Sequence, residues 1–235
     1  MKHPWELPPQ VADMLGQSDP RLMPPAAAPG GMTRYREMTI DELLLENRVV
    51  FLVGEITYAS ATSVIMRMLY LSNQNKDRDI SLYINSPGGS VDDTMAIYDT
   101  MSYLPCDIET TCIGRAMSGG AIILAAGSKG KRHILPHAKV MIHQPYGGVY
   151  GQTSDVQIQA EEILRTKKML NELMAELTDK DLDQVTEDSE RDKYFTAQEA
   201  KDYGIVDEVL AFPKKGKDRE GKSDEKSGGK KKDSK

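Results

Sequence analysis

Ser118 lies in the run Gly114-Arg115-Ala116-Met117-Ser118-Gly119-Gly120, directly ahead of the apolar stretch Ala121-Ile122-Ile123-Leu124-Ala125-Ala126. A serine between small residues at the start of an apolar helix suits a hydrolase. Small neighbours let a substrate backbone approach the hydroxyl, and the helix start offers unpaired N–H groups and a positive dipole beside a reacting carbonyl. The same small residues also serve close helix packing. The A-x-S-x-G spacing approaches the G-x-S-x-G nucleophile elbow without matching it. Taken alone, the motif fits packing as well as catalysis.

A serine nucleophile needs a base. Of the four histidines, His3 lies near the N-terminus, and His133 and His137 flank Pro136 in what reads as a polar connection. His143 follows Val140-Met141-Ile142 at the end of a strand, where α/β proteins tend to expose active-site residues. The orienting carboxylate cannot be chosen by spacing among 36 acidic residues. A second glycine turn, Ser86-Pro87-Gly88-Gly89-Ser90, has neither the GxGxxG spacing of a dinucleotide loop nor the GK[ST] of a P-loop. Its plain role is a tight turn. If it lay beside the serine motif, the N–H groups of Gly89 and Gly119 could line one oxyanion hole. With no HExxH and no Cys/His cluster, a metal site is not expected.

The elements that must position these residues alternate along the chain. Val49–Val53, Ile80–Ile84, Ile108–Ile113, Lys139–Ile142 and Ile205–Leu210 read as strands, and Ser60–Ser72, Val91–Leu104 and about Thr153–Leu177 as helices. Thr196-Ala197-Gln198-Glu199 is a capping box for a short helix ended by Gly204. Repeated strand–turn–helix units imply an α/β fold with parallel pairing. Residues 1–33, rich in Pro, Ala and Gly, read as a flexible or removable leader, and 213–235 as a disordered Lys-rich tail. The tail holds ten Lys/Arg against five Asp/Glu, so the other residues carry about −11 of the net −6. No membrane span, secretory signal or basic nucleic-acid surface is recognisable. Two cysteines, Cys106 and Cys112, fit a reducing, cytoplasmic setting.

Several long motifs in order carry a resemblance: Phe51-Leu52-Val53-Gly54-Glu55-Ile56, Leu82 through Val91, Gly114–Gly120, Val140 through Pro145, and Asp188-Ser189-Glu190-Arg191-Asp192. From about Arg48 to Leu210 the chain closely resembles the Clp protease proteolytic subunit family, ClpP. The resemblance implies repeated ββα units of the ClpP/crotonase type and a peptidase domain over 34–212, with a handle strand and long helix over about 147–177. It also implies an ATP-dependent serine endopeptidase in which Ser118 is nucleophile, His143 base and Asp192 orienting carboxylate, with Gly89 and Gly119 as oxyanion donors. Gly147 and Gly148 would receive substrate as an added strand. Arg191 would make the ring–ring contact, and Tyr83 and Tyr103 would dock an unfoldase. The implied partners are further copies of the chain in two stacked seven-membered rings, an AAA+ unfoldase that spends the ATP, and unfolded protein substrates. No cofactor is expected in the subunit itself. A specialised or weakly active ring subunit paired with a ClpP paralogue is the alternative, and a crotonase-type acyl-CoA enzyme the third reading. The chain departs from the family in having Met117 for the usual Ala and Gly119 for the usual Met, in the segment Met32–Glu42, and in Glu176-Leu177-Thr178-Asp179-Lys180 at a helix end.

Overall fold

A computed structural model of the chain describes residues 38–212 except Val149. The leader over 1–33 and the tail over 213–235 lie outside the described residues. Within them, helix α1 (Ile40–Glu46) precedes strand β1 (Val49–Val53), helix α2 (Tyr58–Gln74) and strand β2 (Ile80–Ser86). Helix α3 (Val91–Tyr103), strand β3 (Ile108–Met117) and helix α4 (Gly119–Ala125) follow, then strands β4 (Arg132–Ile134) and β5 (Lys139–Ile142). The chain goes on through helix α5 (Thr153–Thr178), helix α6 (Leu182–Asp188), strand β6 (Lys193–Thr196), helix α7 (Ala197–Tyr203) and strand β7 (Glu208–Val209).

The main sheet runs β1-β2-β3-β4-β7, all parallel, and β5 branches from the end of β3. The expectation of parallel pairing fails at one place: β6 runs antiparallel to β5. Along β2, buried Ile80, Leu82 and Ile84 alternate with half-buried residues, the period-two pattern of a strand with one covered face. Those residues join Val64 and Met68 of α2, Ile97 of α3 and Ile123 of α4 in one core. At that extent of burial each large aliphatic side chain contributes about 1.5–3 kcal/mol over exposure.

Local chemistry explains several boundaries. Helix α2 starts two residues earlier than its apolar pattern because Thr57 and Ser60 form a capping box. Buried Arg48 ties its C-terminal end to the connection that follows: the guanidinium donates to the carbonyls of Leu71, Asn75, Arg78 and Asp79 at 2.8–3.0 Å. The box at Thr196 and Glu199 forms as expected, and Gly204 closes α7 in the left-handed conformation at φ 91°. Other expectations need correction. β3 continues past Ile113 to Met117, and the last strand is only Glu208–Val209 instead of Ile205–Leu210. Ile205 and Val206 are buried as core residues after the cap. His133 lies in β4, paired with Thr111 and Glu208, and not in a polar connection. Gly147 and Gly148 lie in exposed irregular chain and belong to no strand.

Candidate active site

Strand β5 assembles the site. On one side it pairs in parallel with β3, with Met117 opposite Met141. On the other it pairs antiparallel with β6, with Ile142 opposite Lys193. One step beyond the second ladder, His143 faces Asp192. One step beyond the first, Ser118 reaches the end of β5. The sheet registers thus bring together three residues from three separate parts of the chain.

The contacts follow from that placement. His143 Nε2 lies 3.0 Å from Ser118 Oγ, and His143 Nδ1 lies 3.0 Å from Asp192 Oδ1. Tyr146 packs edge-on against the imidazole, with ring centroids 5.5 Å apart. The His143 side chain is 14% exposed and Asp192 is 55% exposed, so the imidazole is sheltered while its carboxylate partner stands at the surface. The loop bearing Asp192 is tied to β5 by Gln144, whose N–H donates to Ser189 O at 2.6 Å and whose Nε2 donates to Glu190 O at 2.8 Å. Lys167 of α5 donates to Glu190 at 2.8 Å. This hydrogen bond and charge hold the Glu190 carboxyl below the usual carboxylate range.

Ser118 sits at φ 53°, ψ −123° as the N-cap of α4. A residue with a Cβ pays roughly 1–3 kcal/mol for such a conformation. The surroundings enforce it: the Ser118 N–H donates to Met141 O at 2.8 Å, and its carbonyl accepts from Ala121 and Ile122 at 2.9 and 3.3 Å. The sharp turn lifts the hydroxyl out of the strand toward His143. It therefore has the geometry of a nucleophile elbow although the sequence lacks the first glycine of that motif.

The two glycine turns lie side by side. A Cβ on Gly88 would stand 2.7 Å from Met117 O and from Ser118 Cβ, and 3.1 Å from Gly119 N. Ser86 pairs with Ala116 across a register shift, which brings the turn to this position. Gly89 forms a bridge with Ile56 through its neighbours: Ile56 N–H donates to Gly88 O at 2.8 Å and Ser90 N–H to Ile56 O at 2.9 Å. That pattern leaves the Gly89 N–H unused by the bridge. Gly119 opens α4, where a backbone N–H has no intrahelical acceptor. Two backbone donors next to a serine–imidazole–carboxylate chain can stabilise an oxyanion.

A cavity opens beside Ser118 and His143, walled by apolar Val91, Ile122, Ile142, Leu170 and Met174, with Asn171 and Ser189 as polar members. Ser189 Oγ donates to Asn171 Oδ1, and Asn171 Nδ2 donates to Thr186 Oγ1, both at 3.2 Å. Gly119 is not among the lining residues. Its missing side chain would point at Thr94 of α3, not at the cavity. Neither the cavity walls nor Thr94 was singled out by sequence reasoning, because apolar helix positions look alike until the helices are packed.

The other expected residues lie apart from this chain of contacts. Arg191 is exposed beside Asp192. Tyr83 stacks on Phe51 across β2 and β1 at 5.4 Å between ring centroids, and Tyr103 ends α3 with 53% exposure. Among the described residues no group of three or more His, Cys, Asp or Glu could hold a metal ion, and no helix is long and apolar enough to cross a membrane.

Residues 32–212 match the model of the Clp protease family. The chain is also 51% identical over 193 residues to the ATP-dependent Clp protease proteolytic subunit 1 of Rhodopirellula baltica (strain DSM 10527 / NCIMB 13988 / SH1), a match covering 82% of this chain and 85% of that protein.

Proposed function

The chain belongs to the Clp protease family and is a serine peptidase subunit, and on that premise we propose that Ser118, His143 and Asp192 are its catalytic residues. The observation that carries the assignment is the chain of two 3.0 Å contacts from Ser118 Oγ through the imidazole to Asp192. His143 Nε2 takes the Ser118 proton as Oγ attacks the peptide carbonyl. The negative charge that develops on the carbonyl oxygen is met by the N–H groups of Gly89 and Gly119. His143 then protonates the leaving amine, and the acyl-enzyme is cleaved by water that His143 deprotonates. Asp192 accepts the Nδ1 hydrogen bond, which fixes the imidazole tautomer and stabilises the imidazolium. The apolar cavity beside Ser118 supports an apolar substrate side chain next to the scissile bond.

The peptidase domain extends over 34–212, behind a leader or propeptide over 1–33. The subunit works in the cytoplasm within two stacked seven-membered rings, fed with unfolded protein by a Clp-type AAA+ unfoldase that consumes ATP. The exposed apolar residues Ile158, Leu164 and Met169 on α5 support the handle as a ring–ring surface, joined by Arg191. Substrate would lie as an added strand along Gly147 and Gly148, whose backbone is exposed. Tyr83 and Tyr103 mark the unfoldase contact. Retention of all three triad residues in contact disfavours an inactive subunit that serves only alongside a paralogue.

The test is labelling with a fluorophosphonate probe together with turnover of a fluorogenic peptide, after assembly has been checked by mass. Wild-type protein is expected to be labelled at Ser118, and Ser118→Ala to abolish both signals. Unlabelled Ser118 in an assembled particle, or turnover that survives Ser118→Ala, would overturn the assignment.

A further inference from the structure

Thr94 touches the backbone on both sides of the proposed oxyanion hole. It lies in the second turn of α3 and is 1% exposed. Its hydroxyl donates to Ser90 O at 2.8 Å, and its own N–H donates to the same carbonyl at 3.0 Å. Ser90 directly follows Gly89 and is itself fixed by the bond from its N–H to Ile56 O. On its other side, Thr94 fills the volume that a side chain at position 119 would need. A Cβ on Gly119 would stand 2.3 Å from Thr94 Oγ1, 3.1 Å from its Cγ2 and 3.2 Å from its Cβ. The Gly119 backbone can therefore come against α3 only because it carries no Cβ.

We propose that Thr94 is a positioning residue for the oxyanion hole, a spacer that sets the separation of the Gly89 and Gly119 N–H groups. The proposal rests on the reading of those two glycines as donors. It gives a physical reason for glycine where the family usually has methionine: the methionine's place is taken from the opposite helix. Residues 94 and 119 thus act as one packing unit, and the variation at 119 is absorbed behind the donors and not in the substrate cavity.

The experiment is a double-mutant cycle of Thr94→Ala and Gly119→Ala. It uses assembled full-length protein below its unfolding temperature. The readouts are kcat, KM and affinity for a peptide boronate, which forms a tetrahedral adduct with the serine. Gly119→Ala alone forces the 2.3 Å overlap, and a displaced donor is expected to lower kcat by about 100-fold. Thr94→Ala alone is expected to lower kcat by about 10-fold with KM little changed, and boronate affinity should fall in step. In the double variant two of the three obstructing atoms are gone, so its kcat should exceed that of Gly119→Ala by about 10-fold. Thr94→Ser keeps the bond to Ser90 and should stay within about threefold of wild type. It serves as the second probe should Thr94→Ala not assemble: a loss as large as the one expected for alanine would count against the spacer. Additive losses in the cycle, or boronate affinity unchanged while kcat falls, would overturn the proposal. Ser118→Ala run in parallel separates the two levels. Turnover surviving it defeats the site itself, whereas its loss beside an additive cycle defeats only the role of Thr94.

Discussion

Replacing Gly89 by alanine tests whether the turn that carries it is fixed by the Ile56 backbone. A Cβ at this position would stand 2.1 Å from Ile56 O, 2.7 Å from Ile56 N and 2.8 Å from Ile56 C. All three are backbone atoms and no rotamer change can clear them. The turn must therefore move away, which sacrifices the bonds Ile56 N–H to Gly88 O and Ser90 N–H to Ile56 O, at 2.8 and 2.9 Å. At roughly 0.5–1.5 kcal/mol each, their loss costs about 1–3 kcal/mol of stability. The catalytic effect should be larger than that. Withdrawing one oxyanion donor costs about 2.7–4 kcal/mol, a factor of about 100–1,000 in kcat. The assay pairs thermal unfolding with fluorogenic-peptide kinetics, and Gly54→Ala is the control. Gly54 also has a left-handed φ, +83°, but nothing lies within 4 Å of its Cβ position. Its alanine variant should lose only about 1–2 kcal/mol of conformational energy and keep its kcat. A Gly89→Ala enzyme within threefold of wild-type kcat, or a Gly54→Ala enzyme equally impaired, would refute the reasoning.

Asp192→Asn should lower kcat by about 1,000- to 10,000-fold with little change in thermal stability, since the carboxylate is half exposed and its proposed task is to hold the imidazole tautomer; peptide kinetics and a melting curve check both parts. Asp207→Asn should destabilise the fold by about 3 kcal/mol by chemical denaturation while leaving fluorophosphonate labelling intact. It removes the counter-charge of the Arg132 guanidinium, 4% exposed and now bound by Asp207 at 2.9 and 2.6 Å, and leaves it the carbonyls of Leu177 and Ala125. The same residue predicts a pH effect. Burial alone would raise the Asp207 pKa, but its hydrogen bonds with Arg132 outweigh this and hold it below the ordinary value. A carboxylate lowered on folding contributes its full stability above its unfolded pKa and loses it as pH falls through the folded one. Melting temperature against pH should therefore fall less steeply on the acid side in Asp207→Asn than in wild type.

Sequence alone is enough for most of the elements and for the residue types proposed to carry the chemistry. Period-two and helical patterns, glycine turns and the Thr196 capping box are short-range signals, and they placed Ser118 at a helix start and His143 at a strand end. Short or weakly periodic pieces escaped it. Strands Arg132–Ile134 and Lys193–Thr196 are three and four residues long, and helices Ile40–Glu46 and Leu182–Asp188 are seven residues each. Those lengths are too short for a period to stand out. One of these pieces decides the site. Only the antiparallel ladder of Lys193–Thr196 against Lys139–Ile142 sets Asp192 opposite His143, and no local pattern encodes which strands pair or in what register. By spacing alone, the acidic partner is one of 36 candidates. The strained φ of Ser118, the stacking of the Gly88–Gly89 turn on the serine motif, and the seat of Thr94 against Gly119 likewise appear only when distant segments are packed. Glycine in a sequence announces room or freedom; which atom takes up that room is decided by the fold.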